Sequence, residues 1–441
     1  MHVRTLAAMG TILLVAAPAL AADQLQRDGK DSVALIATAS ANPAPTATPT
    51  TASSALALHQ PSGFATWPVI TGTWGGTRPR LEAAGFTLSA MYRTDQMSDL
   101  NGGVESHGGS INQFDLQLAI DADAAFGLPG LSIFAHAIAN NGGSVSRYVG
   151  DAQIVSNIEA TRLTKLYQLW VRQSFLDDRV SVLAGLYDLN AEFYVTDAAV
   201  VFLNSSFGVG KELAQTGPNG PGIFPNPALT LRLRGEFGNV YAQAAVIDGH
   251  PGMADDPFTP SFSWSTEQGV LAIVEGGLVS DGEDGGSRSK YAVGAWWYPP
   301  SVDSPLPNGG AYVLAEQQVL REDGGEEGLS LFTRIGFAEL RLNRYRANFS
   351  GGGVYTGLIP GRDNDKLGLG VTFAQRNTLL DPADMEELPD RGGEVSIELA
   401  YRIQVLPSIA VQPDFQYVIA PSCSRLVGNA SVFGVRFEGR F

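Results

Sequence analysis

One cysteine, Cys423, occurs in the 441 residues of the chain. A single thiol excludes an internal disulfide framework and any metal site built from cysteines. Histidine is scarce too: His2, His59, His107, His136 and His250 lie far apart, none at the spacing of metal ligands, so no metal or cofactor is expected. Basic residues are outnumbered, 29 Lys and Arg against 45 Asp and Glu, and they form no patch. The formal charge of -16 argues against nucleic acid and other polyanionic partners. Long apolar runs are missing as well. Beyond the N-terminal segment the longest, such as Ala198 to Leu203, reach about a third of the ~18–20 residues that a spanning helix needs. If the chain crosses a membrane, it must do so as a closed barrel of strands.

The N-terminus reads as a secretory signal, with Arg4 as its positive region, Leu6 to Val15 as its apolar core and Ala19-Leu20-Ala21 as a small-residue cleavage site. No cysteine lies near it, so a lipid anchor is not expected. Removal of residues 1–21 takes Arg4 away and leaves a charge of -17. Residues 22–66 form a leader rich in Ala, Thr and Pro (Pro43, Pro45, Pro49), the composition of a disordered tether. Residues 67–441 are expected to make one folded unit. It opens with a turn and one helical turn between Thr71 and Gly85, placed to tuck into a barrel mouth.

From Phe86 onward the chain alternates. Val395, Ile397, Leu399, Tyr401 and Ile403 share one parity, and Glu394, Glu398 and Arg402 take the other. A strand with that pattern faces two different surroundings. The same alternation runs from Ile409 to Ile419 and from Ser431 to Phe441, where the sequence stops inside an amphipathic strand. That ending fits a sheet that closes on itself, lipid outside and water inside. Sixteen such runs begin near Phe86, Phe114, Leu131, Leu166, Val180, Ala228, Val240, Gly269, Lys290, Ala311, Leu329, Arg346, Asp365, Gly393, Ile409 and Ala430, with fourteen or eighteen strands left open. The clearest extends from Phe114 to Phe126. The expected fold is all-β: a transmembrane antiparallel barrel with an infolded constriction loop.

Charge assigns the faces. Leu229, Leu231 and Leu233 alternate with Thr230, Arg232 and Arg234. An arginine facing mid-bilayer lipid costs roughly 2–4 kcal/mol, so the arginines belong in the lumen. The same parity places Arg93 and Asp95, Trp170 and Arg172, and Glu398 and Arg402 inside. Trp296 and Trp297 are adjacent and must point opposite ways, one to the lumen and one to the membrane interface. Leu176 to Arg179 and Glu236 to Asn239 read as tight periplasmic turns, whereas Asp188 to Pro227 is far longer. A loop of that length is usually functional, and a wide barrel is naturally narrowed by folding it inward. Asp188, Asn190, Glu192, Asp197, Asn204 and Lys211 are its constriction candidates. The competing reading is a surface loop over the rim.

Several stretches resemble the carbohydrate-selective porin family of outer membranes, the OprB family. They are the Thr-Gly-Thr-Trp-Gly-Gly-Thr-Arg run from Thr71, Leu166 to Gly208, the Tyr-Ala-Gln-Ala-Ala-Val-Ile-Asp-Gly-His-Pro-Gly run from Tyr241, a stretch from Val354, and the Val-Gln-Pro-Asp-Phe-Gln-Tyr-Val-Ile run from Val411. The resemblance implies a sixteen-stranded barrel, passive diffusion of sugars such as glucose, and a constriction lined by charged and aromatic side chains. One departure falls in a loop: the family's Asn-Pro-Gly is here Ala420-Pro421-Ser422-Cys423. The partners so implied are small sugars in transit and outer-membrane lipid. A homo-oligomer, such as the trimer common among sixteen-stranded porins, has no seam legible in the sequence. The alternative function is a general or differently selective small-solute porin.

An enzyme is not expected. Glycosidases need two carboxylates at a set separation, but the acids here repeat with strand parity and form no local motif. Gly143-Ser144 and Asp248-Gly249-His250 are the nearest fragments of a serine hydrolase, and neither sits between a strand and a helix.

Overall fold

The computed structural model describes residues 66–441 except 253–257, 260–261, 263–268, 283–286, 302–303, 323–326 and 381–391. The signal segment and all but the last residue of the leader lie outside the described residues. Sixteen strands follow one another: β1 (Phe86–Gly103), β2 (Gly108–Asp121), β3 (Leu131–Asn140), β4 (Leu163–Phe175), β5 (Val180–Tyr187), β6 (Ala228–Phe237), β7 (Val240–Asp248) and β8 (Val270–Asp281). The second half comprises β9 (Arg288–Tyr298), β10 (Asn308–Arg321), β11 (Gly328–Ala338), β12 (Tyr345–Thr356), β13 (Lys366–Arg376), β14 (Gly393–Leu406), β15 (Ile409–Ile419) and β16 (Gly428–Arg440). Each pairs antiparallel with its neighbours in sequence, and β1 pairs with β16 to close the barrel. Closure leaves no sheet edge with unpaired amides, which is the condition for a sheet to stand in hydrocarbon.

Alternation produces the two faces. On β6, Leu231 and Leu233 are 53% and 54% exposed on the outside, while Arg232 between them is 1% exposed in the lumen. On β9, Trp297 stands outward and Trp296 is buried inside, so the tryptophan pair divides as its adjacency requires. Arg93, Asp95, Trp170, Glu398 and Arg402 are all buried on the lumen side of their strands.

Three boundaries differ from the sequence reading, the first being the start of β2, which lies at Gly108, six residues before the run expected from Phe114. The run from Phe114 to Phe126 is not one strand: β2 ends at Asp121 and a short helix, α2 (Ala122–Phe126), follows. Ala122, Ala124 and Phe126 satisfy the period of a strand, but Asp121 caps the helix by accepting from the N–H groups of Asp123 and Ala124. Gly127, in the left-handed conformation, terminates it. The turn expected over Glu236 to Asn239 is tighter: Glu236 and Phe237 pair with Tyr241 and Val240, leaving Gly238 and Asn239 as the connection.

Both termini of the described chain lie at the end bearing these short turns. The N–H of Ile70 donates to the carbonyl of Arg440 at 2.7 Å, and the helix α1 (Thr77–Ala83) leads from there into β1. The departure at Ala420–Cys423 forms a 3-10 turn over Pro421–Cys423, with Cys423 buried.

Candidate functional site

Residues 188–227, between β5 and β6, fold into the lumen rather than over its rim. Three 3-10 turns (Leu189–Ala191, Ala198–Val201, Ser205–Phe207) and a helical turn, α3 (Lys211–Ala214), shape the loop. Asp188 and Asn204 start two of these turns by accepting from the N–H groups of Asn190 and Ser206.

The barrel wall holds this loop chiefly by its main chain. Glu275 on β8 accepts from the N–H of Tyr194 (2.9 Å), and also from the hydroxyls of Tyr241 and Tyr312 and from Gln243. Lys290 on β9 donates to the carbonyl of Val195 (2.9 Å), and Glu316 on β10 accepts from the N–H of Ala198 (3.1 Å). Glu398 on β14 accepts from the N–H groups of Leu203 (2.5 Å) and Asn204 (3.0 Å), and Gln412 on β15 donates to the carbonyl of Val201. Charged acceptors and donors make stronger bonds than neutral ones, so this loop is fixed.

Apolar seats complete the fit. Tyr194 stacks on Tyr312 with ring centroids 4.0 Å apart, and Phe202 stacks on Phe207 at 4.3 Å. On β13, Gly368 and Gly370 make room for them: a Cβ there would lie 2.8 Å from Val201 Cγ1 and from Phe207 Cζ respectively.

A second segment, residues 141–162 between β3 and β4, also enters the lumen. Glu394 on β14 accepts from the N–H groups of Ala152 (2.7 Å) and Gln153 (3.0 Å), and Gln416 on β15 donates to the carbonyl of Val155 (2.8 Å). Ser156 donates to Asp95, whose carboxylate also receives Arg436 through both Nε and Nη2 at 2.6 and 2.7 Å. The two segments meet where Ser205 N–H donates to the Ile154 carbonyl and Asn157 N–H to the Leu203 carbonyl. Together they form a continuous collar inside the barrel, joined to the wall from β6 round to β1.

The sequence-derived candidates divide by position. Asp95, Asp188, Asn204 and Glu398 are fully buried and spend their polar atoms on holding the collar. Tyr167 donates its hydroxyl to Asp188, and Asn190 braces the loop by donating to the carbonyls of Phe193 and Gly208. Burial pushes the Asp188 carboxyl up to about 6, against the opposing effect of its Tyr167 and Asn190 bonds. Trp170, also buried, stacks on Phe134 at 5.1 Å. Arg93 pairs with Asp115 (2.7 Å), and Arg402 with Glu438 (2.8 Å). Lys211 lies 5.9 Å over the Tyr345 ring.

Asn190 and Lys211 are partly exposed, and four further charged candidates keep access to water. Asp197 is exposed on the loop, and Arg172 is half-buried on β4. Glu192 retains 25% side-chain exposure while paired to Arg232 at 2.8 Å. Arg234 retains 23%, bonded to Glu236 (2.5 Å) and Gln243 (2.8 Å). Burial would raise the Glu192 carboxyl, but the guanidiniums of Arg232 and Arg234 outweigh it and hold the group below the usual carboxylate range. The arrangement offers hydroxyl-bearing solutes acceptors and forked donors side by side.

The sequence reading missed Glu275, Glu316, Glu394 and Arg334 as holders of the collar, and the whole 141–162 segment. Strand parity alone would have put these side chains inside, and the length of residues 141–162 was a second signal. Among the described residues no group of three or more His, Cys, Asp or Glu side chains is placed to hold a metal.

Comparison with known proteins gives the same architecture. The solved structure of Pseudomonas putida OprB at high pH superposes with a TM-score of 0.76 at 21% identity, covering 86% of this chain and all of that one. The outer membrane channel DcaP of Acinetobacter baumannii gives 0.51 at 9% identity, over 81% of this chain and 97% of that one. In sequence, Porin B of Pseudomonas aeruginosa is 24% identical over 418 residues, 84% of this chain and 91% of the relative. The profile described as carbohydrate-selective porin, OprB family, matches residues 107–441. With three quarters of its length matched, the chain belongs to the OprB family of carbohydrate-selective porins.

Proposed function

We propose that this outer-membrane barrel passes small sugars by passive diffusion along a wet path bounded by the collar, with Arg172, Glu192, Asp197 and Arg234 as the groups that meet the solute. The observation that carries the reading is the division of the polar lumen residues. Asp95, Asp188, Asn204 and Glu398 are fully buried and bonded within the collar and its wall, while these four keep partial exposure to water. A diffusing sugar must shed part of its hydration and regain it within nanometres, so the lining must replace water without holding the solute long. Carboxylates accept from vicinal hydroxyls, and guanidiniums donate two bonds to them in a plane.

No covalent step is required of such a channel, and its side chains need only positions and charges. Passage follows the concentration gradient and needs no energy source. The test is swelling of liposomes that contain the purified protein, with glucose as the permeant. Glucose entry faster than that of an amino acid of similar size supports the reading. Equal rates for sugars, amino acids and small anions would favour a general porin.

A further inference from the structure

We propose that Arg334 is the positioning residue of the constriction, setting the size limit of the pore without touching the solute. This inference rests on the reading of the chain as a sugar channel. Arg334 lies on the inward face of β11 and is 1% exposed. Its Nη1 donates to the carbonyls of Tyr194 (3.0 Å) and Gly208 (2.6 Å), and its Nη2 to that of Ser206 (2.8 Å). One guanidinium thus gathers both ends of the stretch 194–208 to a single point on the wall. The exposed Asp197 lies on the lobe so pinched off.

The neighbours of Arg334 on the same face are cut to the same loop. Phe332, two residues away, packs against Phe202 and Phe207 at 5.7 and 6.1 Å between ring centroids. Gly336, two residues the other way, leaves the space in which Glu212 Oε1 and the Tyr194 hydroxyl sit; any Cβ at this position would collide with both. The planar fork matters here, because three carbonyls in different directions match a guanidinium and not the single point of an ammonium. Truncating Arg334 removes the charged donor from all three carbonyls: those of Gly208 and Ser206 keep only the neutral donors Asn190 and Ser350 (both 3.2 Å), and that of Tyr194 loses its side-chain donor, so the pinch of the lobe is released.

The experiment compares wild type with Arg334→Ala, Arg334→Lys and Gly336→Ala in liposomes, measuring glucose entry against entry of a trisaccharide, and conductance in planar bilayers. Arg341→Ala, at an exposed ion pair with Glu339 beyond the end of β11, serves as the control. Arg334→Ala is expected to raise the trisaccharide-to-glucose ratio and to increase conductance by a factor on the order of two. The lysine variant should fall between it and wild type. Gly336→Ala should reproduce the effect by displacing the loop with Arg334 intact. Folded Arg334→Ala with the wild-type ratio overturns the proposal. If that variant does not fold, an unchanged ratio in Gly336→Ala overturns it instead. Failure of wild type itself to admit glucose would sink the sugar-channel reading, a result distinct from either.

Discussion

The main-chain N–H of Asn157 donates to the carbonyl oxygen of Leu203 at 2.7 Å, a central bond of the seam between two loops that leave the barrel at different points. The Asn157 side chain reinforces the seam by donating from Nδ2 to the Phe202 carbonyl at 3.3 Å, and ties it to the wall by accepting from Arg436 of β16 at 2.9 Å. Asn157→Pro removes both the donor and the side-chain acceptor while leaving the wall intact. Leaving such buried partners unsatisfied costs about 1–3 kcal/mol each, enough to make the seam open transiently. Single-channel recordings should show added current fluctuation in the variant; traces as quiet as wild type would mean that the seam does not hold the collar.

Glu398→Gln tests the grip from the opposite direction. The carboxylate accepts from two successive main-chain amides, at Leu203 and Asn204, and a carboxamide can present only one oxygen to them. The expected loss is about 1–3 kcal/mol, read as a lower temperature for the shift between folded and heat-denatured bands on a gel. Double substitution with Asn157→Pro should be non-additive, because the two sites hold the same turn of chain.

Glu212 supplies a pH dependence. Its carboxyl is buried in α3 beside Tyr194, whose hydroxyl donates to Oε1, while Oε2 has no hydrogen-bond partner. Burial pushes the group up to about 7 from the ordinary 4.5, opposed by that hydroxyl and by Arg334. Between these two values the seated loop keeps a proton that the unseated loop has lost. Seating is therefore strongest below about 4.5 and weakens as pH rises to about 7, by on the order of 3 kcal/mol, and is flat above. Thermal stability measured from pH 4 to 8 should fall over this window in wild type and fall less steeply in Glu212→Gln, with Asp188, raised to about 6, keeping its share of the slope. An equal slope in both would assign the effect to other groups.

The adjacent tryptophans should respond differently to truncation. Trp296 is 2% exposed and packs in the lumen-side cluster with Tyr312 and Leu314, so Trp296→Ala opens a cavity worth about 3–5 kcal/mol. Trp297 is 51% exposed on the outer wall, and its loss removes only an interfacial contact. Denaturant midpoints in detergent should drop for the first and barely move for the second. Equal drops would contradict the assignment of faces.

The barrel was legible in the sequence because each strand is bathed in lipid on one side. That imposes a parity on every residue, and Leu231-Arg232-Leu233 is enough to say which parity is which. The error at Phe114 to Phe126 has the same origin. Alanine and phenylalanine at every second position suit a strand, and only the capping Asp121 and terminal Gly127 betray the helix. The long loop was legible by its length, and its entry into the lumen by the need to narrow a wide pore. Its fastenings were not. Arg334 grips residues more than a hundred positions earlier, and its partners are carbonyl oxygens that every residue possesses, so no side-chain pattern marks them. The same reasoning accounts for Glu398: parity placed it in the lumen, but only the fold shows that it is spent on Leu203 and Asn204.

The central claim is that the collar leaves a path for sugars, and the most direct test is the swelling rate of protein-loaded liposomes in glucose, followed over increasing glucose concentration. A rate above that of empty liposomes, saturating as glucose sites in the lumen fill, is the predicted result. Liposomes that stay impermeable to glucose although the barrel is folded in their membrane would contradict it.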